Sequence, residues 1–189
     1  VSCASDEENR EYYISQARMI DKIQQRILSI ARTEKPYDIF ISFKATDDVT
    51  KEETEDSKRA TAIYYSLLEK GYRVFFSKIT LKDKAGEEYE PYIYAALKSA
   101  KIMILVGTKA EYMNAKWVKN EWRRYNKMRL DGERKLLLPV YANMEPYEFP
   151  YELCEMQALD MTQMSFMVSL FGNIERFMGE SAQDRNARE

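Results

Sequence analysis

The 189-residue chain contains no histidine, and that absence excludes more chemistry than any other feature of its composition. Without an imidazole there is no Ser-His-Asp triad, no Cys-His dyad and no His-ligated metal. Acid–base or nucleophilic work falls instead to carboxylates, lysines, tyrosines or hydroxyls. Cysteine is scarce too. Cys3 and Cys154 lie far apart, with no C-x-x-C pair, which fits a reducing compartment and argues against a zinc site. The six glycines (71, 86, 107, 132, 172, 179) form neither G-x-G-x-x-G nor a P-loop, against a dehydrogenase or a Walker-type NTPase. No apolar run approaches the length of a membrane span, and no signal-peptide pattern opens the chain. The expectation is a cytoplasmic protein. Neither sign of charge dominates, with 29 basic against 31 acidic residues, so no nucleic-acid partner is expected. The chain opens at Val1 rather than at a methionine, as expected of a fragment of a longer protein.

What is present suits a globular domain with an appendage: 45% apolar residues for a core and 32% charged residues for solubility. Residues 8–32 read as a helix, in which Tyr13, Ile20 and Ile27 interleave with Ile23 and Ile30 at a/d spacing. Two readings fit that short seam: a helix packed on its own domain, or the end of a coiled coil joining copies. Pro36 ends it, so residues 1–35 form one unit. Strand and helix patterns then alternate. YDIFISF (37–43), YRVFF (72–76), KIMILV (101–106) and KLLLPVY (135–141) read as strands, with QALDM (157–161) as a short fifth. Between them come a helix whose stripe includes Ala60, Ile63, Tyr64 and Leu67 and which ends at Gly71, a helix from Pro91 to Ser99, and a helix capped by Asn114 and running to about Leu130. Met164–Met178 reads as a final amphipathic helix, and residues 179–189 as a disordered tail.

Such alternation implies a parallel sheet with helices on both faces. Ligands bind such sheets beyond the carboxyl ends of the strands, at the topological switch point. Three segments lie there: Ser42–Asp48, Ser77–Glu88, and the start of the helix after the third strand. That helix begins KWVKNEW (116–122). Trp117 and Glu121 are four apart and share a face, either at an edge of the core or on the floor of a pocket. Val118, Trp122 and Tyr125 form the stripe expected to face the core.

Together these segments resemble the Toll/interleukin-1 receptor (TIR) domain family over about residues 36–178. YDIFISFKATDD is similar to the family's opening strand, GYRVFFSKITLKDKAGEE to its second strand and long BB loop, and KWVKNEW to the Trp-x-x-x-Glu of helix C in enzymatic members. The likeness is closest to bacterial and plant TIR domains that cleave NAD+. Two features depart from the family pattern: Lys44-Ala45-Thr46-Asp47 has alanine where glycine is common, and the BB loop lacks the proline of many animal signalling members. The resemblance implies a flavodoxin-like fold of five parallel strands, preceded here by the N-terminal helix. It also implies an NAD+ glycohydrolase or cyclase that releases nicotinamide and yields ADP-ribose or a cyclic isomer, in bacterial immune signalling or in depletion of host NAD+ after delivery into a host cell.

On that resemblance Glu121 is the catalytic residue, and Ser42, Phe43, Lys44, Phe76, Ser77, Lys78, Ile79 and Trp117 border the substrate. NAD+ is then a substrate, and no cofactor or metal is expected. The chemistry is compatible with the missing histidine. Nicotinamide leaves as a neutral molecule from a cationic pyridinium, so no proton donor is required, unlike an ordinary glycoside. Lys44 reads as a phosphate contact or as a plain surface lysine. The loop charges Lys82, Asp83, Lys84, Glu87 and Glu88 read as a solvated face. Self-association through TIR–TIR contacts, aided by the leading helix, is the expected partner interaction. The alternatives are a non-catalytic TIR scaffold and an enzyme acting on another nucleoside or nucleotide.

Overall fold

The structure is a computed structural model that describes residues 3–81 and 89–179. The loop charges at 82–88 and the tail from residue 180 lie outside the described residues. Five strands, β1 (Ile39–Ser42), β2 (Val74–Phe75), β3 (Ile102–Gly107), β4 (Leu136–Tyr141) and β5 (Leu159–Asp160), form one all-parallel sheet in the order β2-β1-β3-β4-β5. This is the flavodoxin-like order, with its switch point between β1 and β3. The inner strands are buried on both sides, which is why they read as unbroken apolar runs rather than alternating ones.

Side-chain parity divides the core into two layers. Ile39, Ile41, Ile102, Ile104, Val106, Leu138 and Val140 point toward α2 (Glu55–Glu69) and α7 (Phe166–Met178), and pack on Ala60, Ile63, Leu67, Leu170 and Ile174. Phe40, Phe75, Met103, Leu105 and Leu137 point the other way, toward α4 (Tyr89–Ser99) and α6 (Lys116–Leu130). There they meet Leu97 of α4 and, on α6, Val118, Trp122 and Tyr125, the stripe expected to face the core. Trp122 donates its indole N–H to the Met113 carbonyl at 2.9 Å, and the Tyr125 hydroxyl donates to the Ala100 carbonyl at 3.2 Å. Both polar tips are thus satisfied in the interior.

Helix α1 (Cys3–Thr33) has 31 residues, a length of about 46 Å at 1.5 Å per residue. Its two halves differ in burial. Ile30 is buried, Ile23 and Ile27 are half-buried, and this part packs along α4. Tyr13 and Ile20 are 69% and 54% exposed, and Tyr13 meets the ring of Tyr12 on the same helix, so this part of the seam faces outward among the described residues.

Two short helices interrupt segments expected to be irregular. The stretch after β2 turns at once into α3 (Ser77–Thr80), and α5 (Ala110–Met113) precedes α6. The second changes the capping. Asn114 closes α5, its side chain donating to the Ala110 carbonyl at 3.1 Å, and the N-cap of α6 is Ala115 with no side-chain bond. At the other end of α6 the chain stops as expected, with Gly132 at φ +98°, a conformation natural to glycine.

Candidate active site

A cleft of about 300 Å³ opens beyond the carboxyl end of β1, beside the β1–β3 switch point. It is walled by Phe43, Lys44, Ala45, Thr46 and Asp48 on one side and by Trp117, Val118 and Glu121 on the other, with Ile41 and Ser77 also lining it. The more enclosed cavity beneath α1, bounded by Ile30, Tyr37, Phe75 and Leu81, measures only about 40 Å³, too little for a nucleotide.

Parity explains the innermost contact. Ser42 follows Phe40 by two residues, so it projects to the α6 face. There its hydroxyl donates to Oε2 of Glu121 at 2.5 Å. Both residues are buried, Ser42 at 1% and Glu121 at 7% exposure. Burial is the dominant influence on the carboxyl and pushes its pKa from 4.5 up to about 7; the bonds from Ser42 and from the Trp117 side chain act in the opposite direction. Glu121 is therefore a carboxylate held short of solvent, with few bonds to replace the lost water. Trp117, one turn earlier, is 49% exposed and lines the cleft. It is not core.

The sequence-predicted residues separate into two groups. Ser42, Phe43, Lys44, Ser77, Trp117 and Glu121 converge at the cleft. Phe76, Lys78 and Ile79 do not line it: Phe76 follows the parity of β2 into the core layer of Val74, and the turn of α3, where a loop was expected, directs Lys78 and Ile79 elsewhere. Phe76 is fully buried and stacked between Phe43 and Tyr64, with centroids 4.9 Å apart on each side. Ile79 packs against the same core layer, and Lys78 turns to Glu53 and Ser57 on the α2 side. Lys44 pairs with Asp48 at 2.6 Å; Asp48 is 80% exposed, so the pair sits on the rim, where such contacts are weak and exchangeable.

The loop between β1 and α2 is anchored at its base by residues the sequence did not single out. Asp56 is fully buried, and its Oδ1 accepts from the Thr108 backbone N–H (2.7 Å) and hydroxyl (2.6 Å). Desolvation raises its pKa to about 6 against those bonds. The Thr54 hydroxyl donates to the Lys44 carbonyl and accepts from Ser57 N–H as the α2 N-cap. The capping pattern Thr54-Glu55-Asp56 was the available signal; the Asp56–Thr108 contact, spanning 52 residues, had none. Among the described residues, no group of three or more His, Cys, Asp or Glu side chains is placed to hold a metal ion, and no helix is long and apolar enough to cross a membrane.

Comparison with known proteins agrees with this architecture. A search of curated protein sequences finds no match. Among solved structures, the TIR domain of the Toll-related receptor TRR-2 from Hydra magnipapillata is 21% identical, covering 74% of this chain and 98% of that one, with a TM-score of 0.50. The TIR domains of the activated Roq1 resistosome, which recognises the pathogen effector XopQ, are 16% identical, with 73% and 99% coverage and a TM-score of 0.55. A metazoan TIR-STING receptor from C. gigas, bound to 2′,3′-cGAMP, is 18% identical over 77% of this chain and 40% of that one, with a TM-score of 0.51. Identities this low speak for the fold alone. Family membership rests on the sequence itself, which matches the TIR domain over residues 39–169: the chain belongs to the TIR domain family.

Proposed function

We propose that this TIR domain cleaves the nicotinamide–ribose bond of NAD+, with Glu121 as the catalytic carboxylate. The observation that carries the reading is the burial of Glu121 against Ser42, beside an exposed indole, in the crevice at the sheet's switch point. A scaffold has no use for a desolvated carboxylate facing a cleft, and such strain concentrates at functional sites.

The chemistry follows from charge. As the C1′–N bond breaks, its electron pair passes to the nicotinamide nitrogen, the pyridinium becomes neutral, and positive charge moves onto the ribose ring. A carboxylate about 4 Å from that charge stabilises it by about 4 kcal/mol at an effective dielectric of 20. Trp117 screens the cation from water and offers a face to a ring. Water then bonds to C1′ and releases one proton, giving ADP-ribose; capture by the adenine or a ribose hydroxyl of the same molecule gives a cyclic product instead. Lys44 exchanges Asp48 for the pyrophosphate as a point charge. The reaction draws on cytoplasmic NAD+, in the producing cell or in a host that receives the protein, as immune signalling or NAD+ depletion requires. Contacts between TIR domains, and the exposed apolar side chains of α1 such as Tyr13 and Ile20, promote self-association.

The test is a time course of concentrated protein with NAD+, resolved by liquid chromatography, beside Glu121→Ala. Nicotinamide released by the wild type and not by the variant supports the reading, and the co-product distinguishes hydrolase from cyclase. If neither protein consumes NAD+ under conditions that promote assembly, the domain is an interaction module.

A further inference from the structure

The two walls of the cleft belong to different elements: the 44–48 loop on one side and α6 on the other. At the base Ser42, which leads into the loop, bonds Glu121 of α6, and Asp56 at the start of α2 bonds Thr108 after β3. At the rim the two walls are joined through α5, the short helix that precedes α6. Asp47, in the loop, divides its two oxygens between two tasks. Oδ1 accepts from the backbone N–H groups of Val49 (2.9 Å) and Thr50 (3.0 Å), shaping the loop's own turn. Oδ2 accepts from the hydroxyl of Tyr112 on α5 at 2.7 Å, a bond that crosses 65 residues of sequence. The Lys109 ammonium lies 5.0 Å from the Tyr112 ring and further stabilises the charged partner.

Helix α5 is itself held firmly, so it serves as a fixed post. Met113 lies so close over Gly107 that a Cβ there would fall 2.4 Å from its Cε. The Met113 carbonyl takes the indole N–H of the buried Trp122. The loop, in contrast, is largely exposed from Ala45 to Thr50.

We propose that Tyr112 is a positioning residue, which clasps the 44–48 loop to the α5–α6 corner and so sets the width of the substrate cleft. Removing its hydroxyl deletes the bond across the rim and leaves both the loop's internal turn and the Ser42–Glu121 pair intact. Substrate capture weakens while the bond-breaking step is preserved. The kinetic part of this inference rests on the NAD+ reading; the structural part does not.

Tyr112→Phe tests both. In steady-state assays KM for NAD+ is expected to rise about five- to tenfold, the worth of one ordinary hydrogen bond, with kcat within about twofold of wild type. Hydrogen exchange without NAD+ is expected to show faster exchange across residues 44–50. Unchanged KM together with unchanged exchange overturns the clasp, and so does a fall in kcat at constant KM. If the wild type itself fails to cleave NAD+, that result refutes the catalytic reading, and exchange alone decides the clasp: equal protection of residues 44–50 in both proteins overturns it.

Discussion

A carboxylate buried with few hydrogen bonds leaves a thermodynamic signature that needs no substrate. Glu121 has its pKa moved by burial from 4.5 to about 7, so its ionised form is disfavoured in the folded protein by about 3 kcal/mol. The native state binds the proton more tightly than the unfolded chain. The associated stability is fully present below pH 4.5 and is lost as the pH rises through about 7. Glu121→Gln keeps the shape and a bonding partner for Ser42 but cannot ionise. It is expected to match the wild type near pH 4 and to exceed it by up to about 3 kcal/mol at pH 8. At about 2–4 °C per kcal/mol for a protein of this size, the difference is about 6–12 °C in Tm. Asp56, whose pKa is raised to about 6, contributes a trend of the same sign to both proteins and cancels in the comparison. Thermal unfolding of both proteins from pH 4 to 8, in one buffer series at constant ionic strength, measures the effect. Curves that stay parallel across the whole range refute the claim that the Glu121 carboxylate is desolvated.

The remaining expectations concern the same few contacts. NAD+ cleavage at subsaturating substrate rises with pH through about 7 and then levels, because the ionised form of Glu121 is the reactive one; a flat profile from pH 5 to 8 contradicts this. Ser42→Ala removes a bond that holds the Glu121 pKa down, so the inflection moves to higher pH, which the same profile records. Gly107→Ala drives a Cβ to 2.7 Å from the Met113 Cγ, and chemical denaturation should show a loss of about 1–3 kcal/mol. Lys44→Ala raises KM for NAD+ without lowering kcat, and the effect shrinks at high salt, where a point charge at the rim of the cleft is screened.

Much of this protein was determined within short windows of its sequence. The apolar runs at 37–43, 101–106 and 135–141 read as buried strands, and the Val118–Trp122–Tyr125 stripe as a face turned to a core, because periods of two and 3.6 residues are set by local backbone geometry. The absence of histidine excluded whole classes of catalysis before any fold was known. The switch-point rule then directed attention to Trp117 and Glu121. Tertiary structure alone decided what those residues are. Whether KWVKNEW was core or pocket depended on neighbours 79 residues away, where Ser42 meets Glu121, and the raised pKa is a property of everything that excludes water from that carboxyl. Phe76, Lys78 and Ile79 shared the sequence neighbourhood of Ser77 yet left the cleft, because strand parity carried Phe76 into the core beside Val74 and the turn of α3 sent Lys78 and Ile79 away from Ser77. Desolvation and the meeting of distant loops are sums over the whole packed chain, and no local window of sequence contains them.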